Sequence, residues 1–291
     1  MITERAYAKI NLCLDVTGKR PDGYHDVRMI MQMVDIFDAL SLSKTDSGIT
    51  IDVGGSPLPE DGDNLICKAA RKIMDRCGIK GGVSISLEKH IPIAAGMAGG
   101  SSDAAATLRG MNRLYECGLT NEELREIGVT IGADVPYCIE GGTVLAEGIG
   151  EKLTFLEPLP GYILAVAKPE AGVSTGNIYT ALDEIFDTIL HPDIDGMLNT
   201  MRTCRGTGFL KYLGNVLEYV TEPRCPEVEK IKDVFGDMGS SGTLMTGSGP
   251  TVYGFFEDEE KAARAVSEVR RLGYAGEAES FVTRLITPVY D

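Results

Sequence analysis

The sequence predicts an α+β protein of two domains, residues 1–153 and 154–291. Three observations predict it. Apolar residues alternate with period two in both halves, and these runs are interleaved with stripes at helical spacing. The stretch IPIAAGMAGGSSDAAATLRGMN, residues 91–112, sets glycines and a Ser-Ser pair between a strand pattern and a helical stripe. Between the halves, FLEPLPG at 155–161 supplies two prolines and a glycine, a composition that interrupts regular structure.

The elements follow in order. Ala6, Ala8, Ile10, Leu12, Leu14 and Val16 alternate with Tyr7, Lys9, Asn11 and Cys13, which predicts a strand with the apolar set on one side and places Lys9 and Asn11 on a shared face. Pro21, Asp22 and Gly23 form a turn into YHDVRMIMQMVDIFDALSL, read as more sheet, and ITIDV adds a short strand. Residues 64–77 predict a helix capped by Asn64 and stopped by Gly78, with Leu65, Ala69, Ile73 and Cys77 on one stripe. VSISL alternates again. After the glycine segment Ala104, Leu108, Met111 and Tyr115 mark a helix ending near Gly118. Thr120 and Glu123 form a capping box ahead of LREIGVTIG; Gly132 is placed to end that helix, leaving Asp134 just past its exit. TVLAEG closes the first half.

The second half opens with the strand YILAVAKP and a helix carrying Ile178, Leu182, Ile185 and Ile189, with further helices to about Phe235. Two strands around a glycine-rich turn in TLMTGSGPTVYGFFE, a helix marked by Ala262, Val266 and Val269, and a last strand with Phe281 and Val282 complete a ferredoxin-like order.

Composition narrows the function classes. A chain of 291 residues, 43% hydrophobic and 24% charged, has the material for real cores, and a net charge of −15 argues against nucleic acid or an anionic membrane as partner. No apolar run is long enough to cross a bilayer and MITERAYAKINLCLDV lacks a signal-peptide core, so a cytoplasmic location is expected. The seven cysteines are scattered, odd in number and free of CxxC pairs, which predicts small buried hydrophobes in place of a disulfide framework or zinc site. With only His25, His90 and His191 and no HExxH, a histidine-rich metal site is not expected.

A loop of small residues entering a helix exposes main-chain N–H groups where the helix dipole is positive, a setting that suits phosphate oxygens. Gly96, Gly99 and Gly100 allow close approach, Ser101 and Ser102 can cap the helix or donate to a ligand, and Asp103 reads as a dipole partner in the first turn. Neither GxxxxGK[ST] nor GxGxxG is present, which also removes the basis for a dinucleotide-dependent oxidoreductase. The residues alone leave two readings: a phosphate cradle, or an ordinary strand-to-helix turn.

PIAAGMAGGSS, residues 92–102, resembles the phosphate loop of the kinase superfamily named for galactokinase, homoserine kinase, mevalonate kinase and phosphomevalonate kinase. AYAKINLCLDVTGKRPDGYH at 6–25, IGADVPYCIEGGTVLAEGIGE at 131–151 and TGSGPT at 246–251 narrow the resemblance to the family acting on 4-diphosphocytidyl-2-C-methylerythritol. The resemblance spans nearly the whole chain and is less sharp from about 185 to 240. It implies a ribosomal-protein-S5-like N-terminal domain, a ferredoxin-like C-terminal domain, and transfer of the γ-phosphoryl group of ATP to the 2-hydroxyl of the methylerythritol unit in the non-mevalonate route to isoprenoid precursors.

By that resemblance Asp134 accepts the hydroxyl proton and Lys9 is the ammonium beside it; taken singly, each also reads as a solvated turn aspartate or strand lysine. Pro92, Ile93, Ala94, Ala95, Gly96, Met97, Ala98, Gly99, Gly100, Ser101 and Ser102 form the ATP loop. Tyr24 stacks on the cytosine, His25 pairs with its edge, Asn11 contacts substrate, and Tyr179 is the second aromatic against the base. TGSGPT packs against the phosphate loop. Mg²⁺ is implied with ATP, with Ser102 and Glu147 considered as ligands and neither assigned. The expected partner is a small molecule, and the expected state a monomer or weak homodimer. The alternatives are another small-alcohol kinase of the superfamily and a sensor that binds without turnover.

Overall fold

The computed structural model describes residues 1–203, 206–288 and 290. In the first half β1 (Ile2–Lys19) and β2 (His25–Thr45) form a long antiparallel hairpin, followed by β3 (Ile49–Asp52), α1 (Leu65–Cys77), β4 (Gly82–Glu88), α2 (Gly99–Leu114), α3 (Asn121–Val129), α4 (Val135–Glu140), β5 (Thr143–Gly148) and β6 (Lys152–Phe155). The second half contributes β7 (Ile163–Ala167), α5 (Thr175–Asp183), α6 (Ile194–Thr203), β8 (Gly214–Asn215), α7 (Glu218–Thr221), α8 (Glu227–Asp237), β9 (Thr243–Met245), β10 (Val252–Phe256), α9 (Glu259–Arg271) and β11 (Ser280–Arg284).

Among the described residues, one sheet runs β3-β4-β2-β1-β8, with β5 also on β2 and β6 on β5. The outer edge of β2 is shared: residues 27–32 pair with β5 and residues 39–45 with β4. A second, antiparallel sheet has the order β11-β7-β10-β9. In chain order its strands stand 4-1-3-2, the split βαβ arrangement expected of a ferredoxin-like domain. Among the described residues, β-pairing joins the two halves twice. β8 comes from the second half yet pairs in parallel with Cys13 and Leu14 of β1, and Val34 bridges Leu285.

Local signals fold as their chemistry dictates. Asn64 caps α1 by accepting from the Ile66 amide at 2.9 Å, and Gly78 ends it in the left-handed region at φ 64°. Thr120 and Glu123 close both bonds of the capping box of α3.

Other expectations are corrected. The apolar residues of β1 do not share one side: register shifts at Tyr7/Lys9 and Asn11/Cys13 send Ala8, Ile10 and Leu12 to one core cluster and Ala6, Leu14 and Val16 to another. A bulge reverses the alternation that period two assumes. α3 ends at Val129, short of Gly132, and Asp134 stands at the N-cap of α4, an entrance and not an exit. Pro136 in the first turn was the legible sign of that helix. α5 stops at Asp183, so Ile185 and Ile189 lie beyond it, and Phe186–Thr188 form a 3₁₀ turn. Of the cysteines, Cys13, Cys67, Cys138 and Cys225 are buried and Cys77 and Cys117 half-buried, all as free thiols; Cys204 lies outside the described residues.

Arg109 ties β1 to α2 and α4 from inside the core. Its Nε donates to Glu4 at 3.1 Å, Nη1 to the Cys138 carbonyl at 2.9 Å and Nη2 to the Arg5 carbonyl at 2.9 Å. Arg109→Met strips these acceptors of their donor, and the expected loss is about 3 kcal/mol, the lower end for a broken buried pair because Arg113 still holds Glu4. Urea unfolding of the variant checks it; a change under about 0.5 kcal/mol is what a surface position would give.

Candidate active site

The site begins at the two bulges of β1. The first frees the Lys9 amide to donate to the Met97 carbonyl at 3.1 Å; at the second, the Asn11 amide donates to Thr246 Oγ1 at 3.0 Å. The strand is thereby stitched to both glycine-bearing loops. Lys9 is 3% exposed, and its ammonium donates to Asn11 Oδ1 at 2.8 Å and the Gly96 carbonyl at 3.1 Å. An ammonium has three protons. The remaining direction leads to Asp134 Oδ2, 3.8 Å away. The Asp134 carboxylate makes no capping bond to α4, and it is 29% exposed, open to a cleft.

Ala94, Gly96 and Ala98 have positive φ of 53°, 69° and 58°, while Ala95 and Met97 between them are buried. A left-handed residue at every second position makes N–H groups converge, and it costs about 1 kcal/mol or more at each alanine. The buried side chains between them hold the loop in that form. Gly96 also faces another backbone: a Cβ there would stand 2.3 Å from the Thr246 carbonyl. α2 starts after Ala98 with no side-chain cap, which leaves the N–H groups of Gly99, Gly100 and Ser101 without partners inside the helix.

Behind the loop lies a buried group of charges. Asp38 accepts from the His90 and Ile91 amides at 2.6 and 2.8 Å and pairs with Lys89, whose ammonium is also 3.3 Å from Asp103. The reading of Asp103 as a first-turn dipole partner is corrected: it lies in the second turn, 1% exposed, and burial pushes its carboxyl well above the usual range against the pull of Lys89.

At the other end of the cleft Tyr24 is 59% exposed at the hairpin tip. The rings of His25 and Tyr179 are 5.1 Å apart and tilted by 38°. His25 Nε2 lies 2.8 Å from Asp183 Oδ1, and Lys19 Nζ lies 2.6 Å from Asp183 Oδ2; hydrogen bonds from Lys19 and His25 hold that carboxyl below its ordinary range.

One cavity of about 780 Å³ connects these parts. Lys9, Asp134, Tyr24, His25, Tyr179, Pro92, Ile93, Ala94, Ala95, Gly96, Ala98, Gly99, Gly100 and Ser101 all line it. Three expected residues do not. Met97 is packed in the core. Ser102, expected to cap or to reach a ligand, is 1% exposed and donates to the Tyr7 carbonyl at 2.6 Å. Asn11 is fully buried, and its oxygen is taken by Lys9, Thr246 and the Gly247 amide, so it acts as a strut beneath the site. Sequence reasoning missed Lys89 and Thr175 on the wall; Thr175 bonds to Ser248 of the TGSGPT motif at 2.8 Å. A lysine just past β4, two residues ahead of the glycine segment, was the available signal for the first.

Of the two residues considered for a metal, Ser102 faces inward and Glu147 lies 3.5 Å from Arg28. Among the described residues, no three His, Cys, Asp or Glu side chains gather to hold an ion. Asp22 and Asp134 are the carboxylates on the cavity wall. This donor set fits a hard cation carried chiefly by phosphate oxygens and water, not a protein cage.

The GHMP kinases N terminal domain family matches residues 64–142 and the GHMP kinases C terminal family residues 204–275. The chain is 49% identical over 286 residues to the 4-diphosphocytidyl-2-C-methyl-D-erythritol kinase of Exiguobacterium sibiricum, covering 98% of each, and 47% identical over 270 residues to that of Bacillus subtilis, covering 92% of this chain and 93% of the other. A crystal structure of 4-(cytidine 5'-diphospho)-2C-methyl-D-erythritol kinase superposes with a TM-score of 0.81 at 30% identity over 98% of this chain and 99% of that one. A mevalonate kinase at 17% identity and TM-score 0.75 shares the fold. The bulged strand, the paired lysine and aspartate, and the two glycine loops thus stand in a chain that belongs to the 4-diphosphocytidyl-2-C-methyl-D-erythritol kinase family of the GHMP kinases.

Proposed function

We propose that this chain transfers the γ-phosphoryl group of ATP to the 2-hydroxyl of 4-diphosphocytidyl-2-C-methyl-D-erythritol, a step of the non-mevalonate route to isoprenoid precursors. The observation that carries the reading is the approach of Lys9 Nζ to 3.8 Å from Asp134 Oδ2 beside the glycine loop, from positions remote in sequence.

The alcohol oxygen attacks Pγ, its proton passes to an Asp134 carboxylate oxygen, the bond from Pγ to the bridging oxygen breaks, and ADP leaves. Phosphoryl transfer rests mainly on alignment and charge neutralisation. Lys9 keeps one ammonium direction toward the reacting oxygens while the Gly96 carbonyl and Asn11 fix the other two. Asn11 is therefore a positioning residue. The loop from Pro92 to Ser101 and the open N-terminus of α2 receive the polyphosphate. Mg²⁺ carried by ATP would offset phosphate charge, with Asp22 and Asp134 the wall carboxylates that would hold its water shell. Tyr24 and Tyr179 flank the cytosine, and His25 meets its edge. Residues 1–153 carry the ATP loop and catalytic pair, and residues 154–291 close the cleft. The enzyme works in the cytoplasm as a monomer or weak homodimer. No helix of the described residues is long and apolar enough to cross a membrane.

An ADP-release assay with the cytidine-diphosphate alcohol, with product mass checked for one added phosphate, tests the reaction. Asp134→Asn is expected to lower turnover about 10²- to 10⁴-fold with thermal unfolding unchanged, the scale of a lost proton acceptor. Near-normal turnover would remove Asp134 from that role. Tyr24→Ala is expected to raise KM for the cytidine acceptor about tenfold with KM for ATP unmoved, because its exposed ring has no core to support. Equal changes in both constants would contradict the assignment.

A further inference from the structure

We infer that Asp183 is a positioning residue that fixes the tautomer of His25 and thereby sets a preference for cytosine over uracil; the inference rests on the reading of the cleft given above. Tyr179 and Asp183 are four residues apart on α5 and so share a face. From that face the Tyr179 ring packs on the His25 ring at 5.1 Å while the Asp183 carboxylate takes the ring edge at Nε2, 2.8 Å away. One helix grips the imidazole twice.

An acid at the last residue of a helix opposes the dipole and needs compensation. Lys19 supplies it at 2.6 Å, and Lys19 is the register partner of His25 across the β1–β2 hairpin. The carboxylate is thus pinned by the same ladder rung that carries the histidine. His25 is 8% exposed along its side chain yet lines the cavity, so its ring has little freedom.

A carboxylate only accepts hydrogen bonds, so Nε2 carries a proton, and in the neutral ring Nδ1 then keeps a lone pair. That lone pair complements the exocyclic amine of cytosine, a donor, and opposes the O4 of uracil, an acceptor. Without Asp183 the ring can present either nitrogen protonated, and the distinction fades.

The test uses the full chain with the cytidine-diphosphate alcohol and its uridine counterpart. In Asp183→Ala, KM for the cytidine acceptor is expected to rise about ten- to a hundredfold, kcat to stay within about threefold, and the cytidine-to-uridine ratio of kcat/KM to fall about tenfold or more, with KM for ATP unchanged. Asp183→Asn, whose side-chain oxygen accepts the same proton, is expected to keep the ratio within about threefold. With three histidines in the chain, ¹⁵N spectra can assign His25, which should show a bare Nδ1 in the unaltered protein and lose that signature in Asp183→Ala. An unchanged ratio in Asp183→Ala, a loss confined to kcat, or a proton on Nδ1 in the unaltered protein overturns this inference alone. Failure of the unaltered protein to turn over the cytidine acceptor overturns the underlying reading and the inference with it.

Discussion

The contact on which the rest depends is between two backbones with no side chains between them. Gly96 lies against Thr246 and Gly247 so closely that a Cβ on Gly96 would meet a carbonyl at 2.3 Å, and one on Gly247 would meet the Gly96 carbonyl at 2.7 Å. Asn11 supplies the joint, accepting from the Lys9 ammonium, the Thr246 hydroxyl and the Gly247 amide with one oxygen. Asn215 secures the far side by donating to the Met245 and Gly247 carbonyls at 2.8 Å. The glycine loop at 92–102, Lys9 and the second sheet therefore share one buried, hydrogen-bonded node. In such a node the loss of any member leaves the others without partners in a low-dielectric interior.

The node also resolves an electrostatic difficulty. A chain of net charge −15 is a poor host for a polyphosphate if only its average field counts. The local field is built otherwise, from the ammonium of Lys9, the open amides at the start of α2 and the converging loop N–H groups. Nearby acids are kept from cancelling it: Asp38 and Asp103 share Lys89 in the interior, and burial holds Asp103 above the usual carboxylate range. Most of the formal negative charge lies elsewhere on the surface.

Much of this was legible in the residues. Local chemistry such as the Asn64 cap and the Thr120–Glu123 box acts over three or four residues and appeared where expected. The strand order of the second half was recoverable because each element carried its own period. The glycine loop and the Lys9–Asp134 pair were recoverable through resemblance; physics alone left the loop open between two readings and gave neither charged residue priority. Unreadable were features set by distant partners. The bulges in β1 answer to Met97 and Thr246, far along the chain, so alternation misassigned half of the strand. A serine pair at a helix start suits a cap or a ligand, and only the position of the Tyr7 carbonyl turns Ser102 inward. Asn11 shares a face with Lys9 as read, yet the loop at 246–247 covers it.

The two-residue strand β8 has a consequence for how ligands come and go. Because the second half threads Gly214–Asn215 into the first sheet, and Val34 meets Leu285 elsewhere, the halves are riveted at two separated points. A clamshell rotation would have to tear sheet hydrogen bonds at both. What lies outside these joins on the cavity wall is the hairpin residue Tyr24 and the stretch Thr175–Thr180 of α5, so a gate here would be a fingertip and not a jaw.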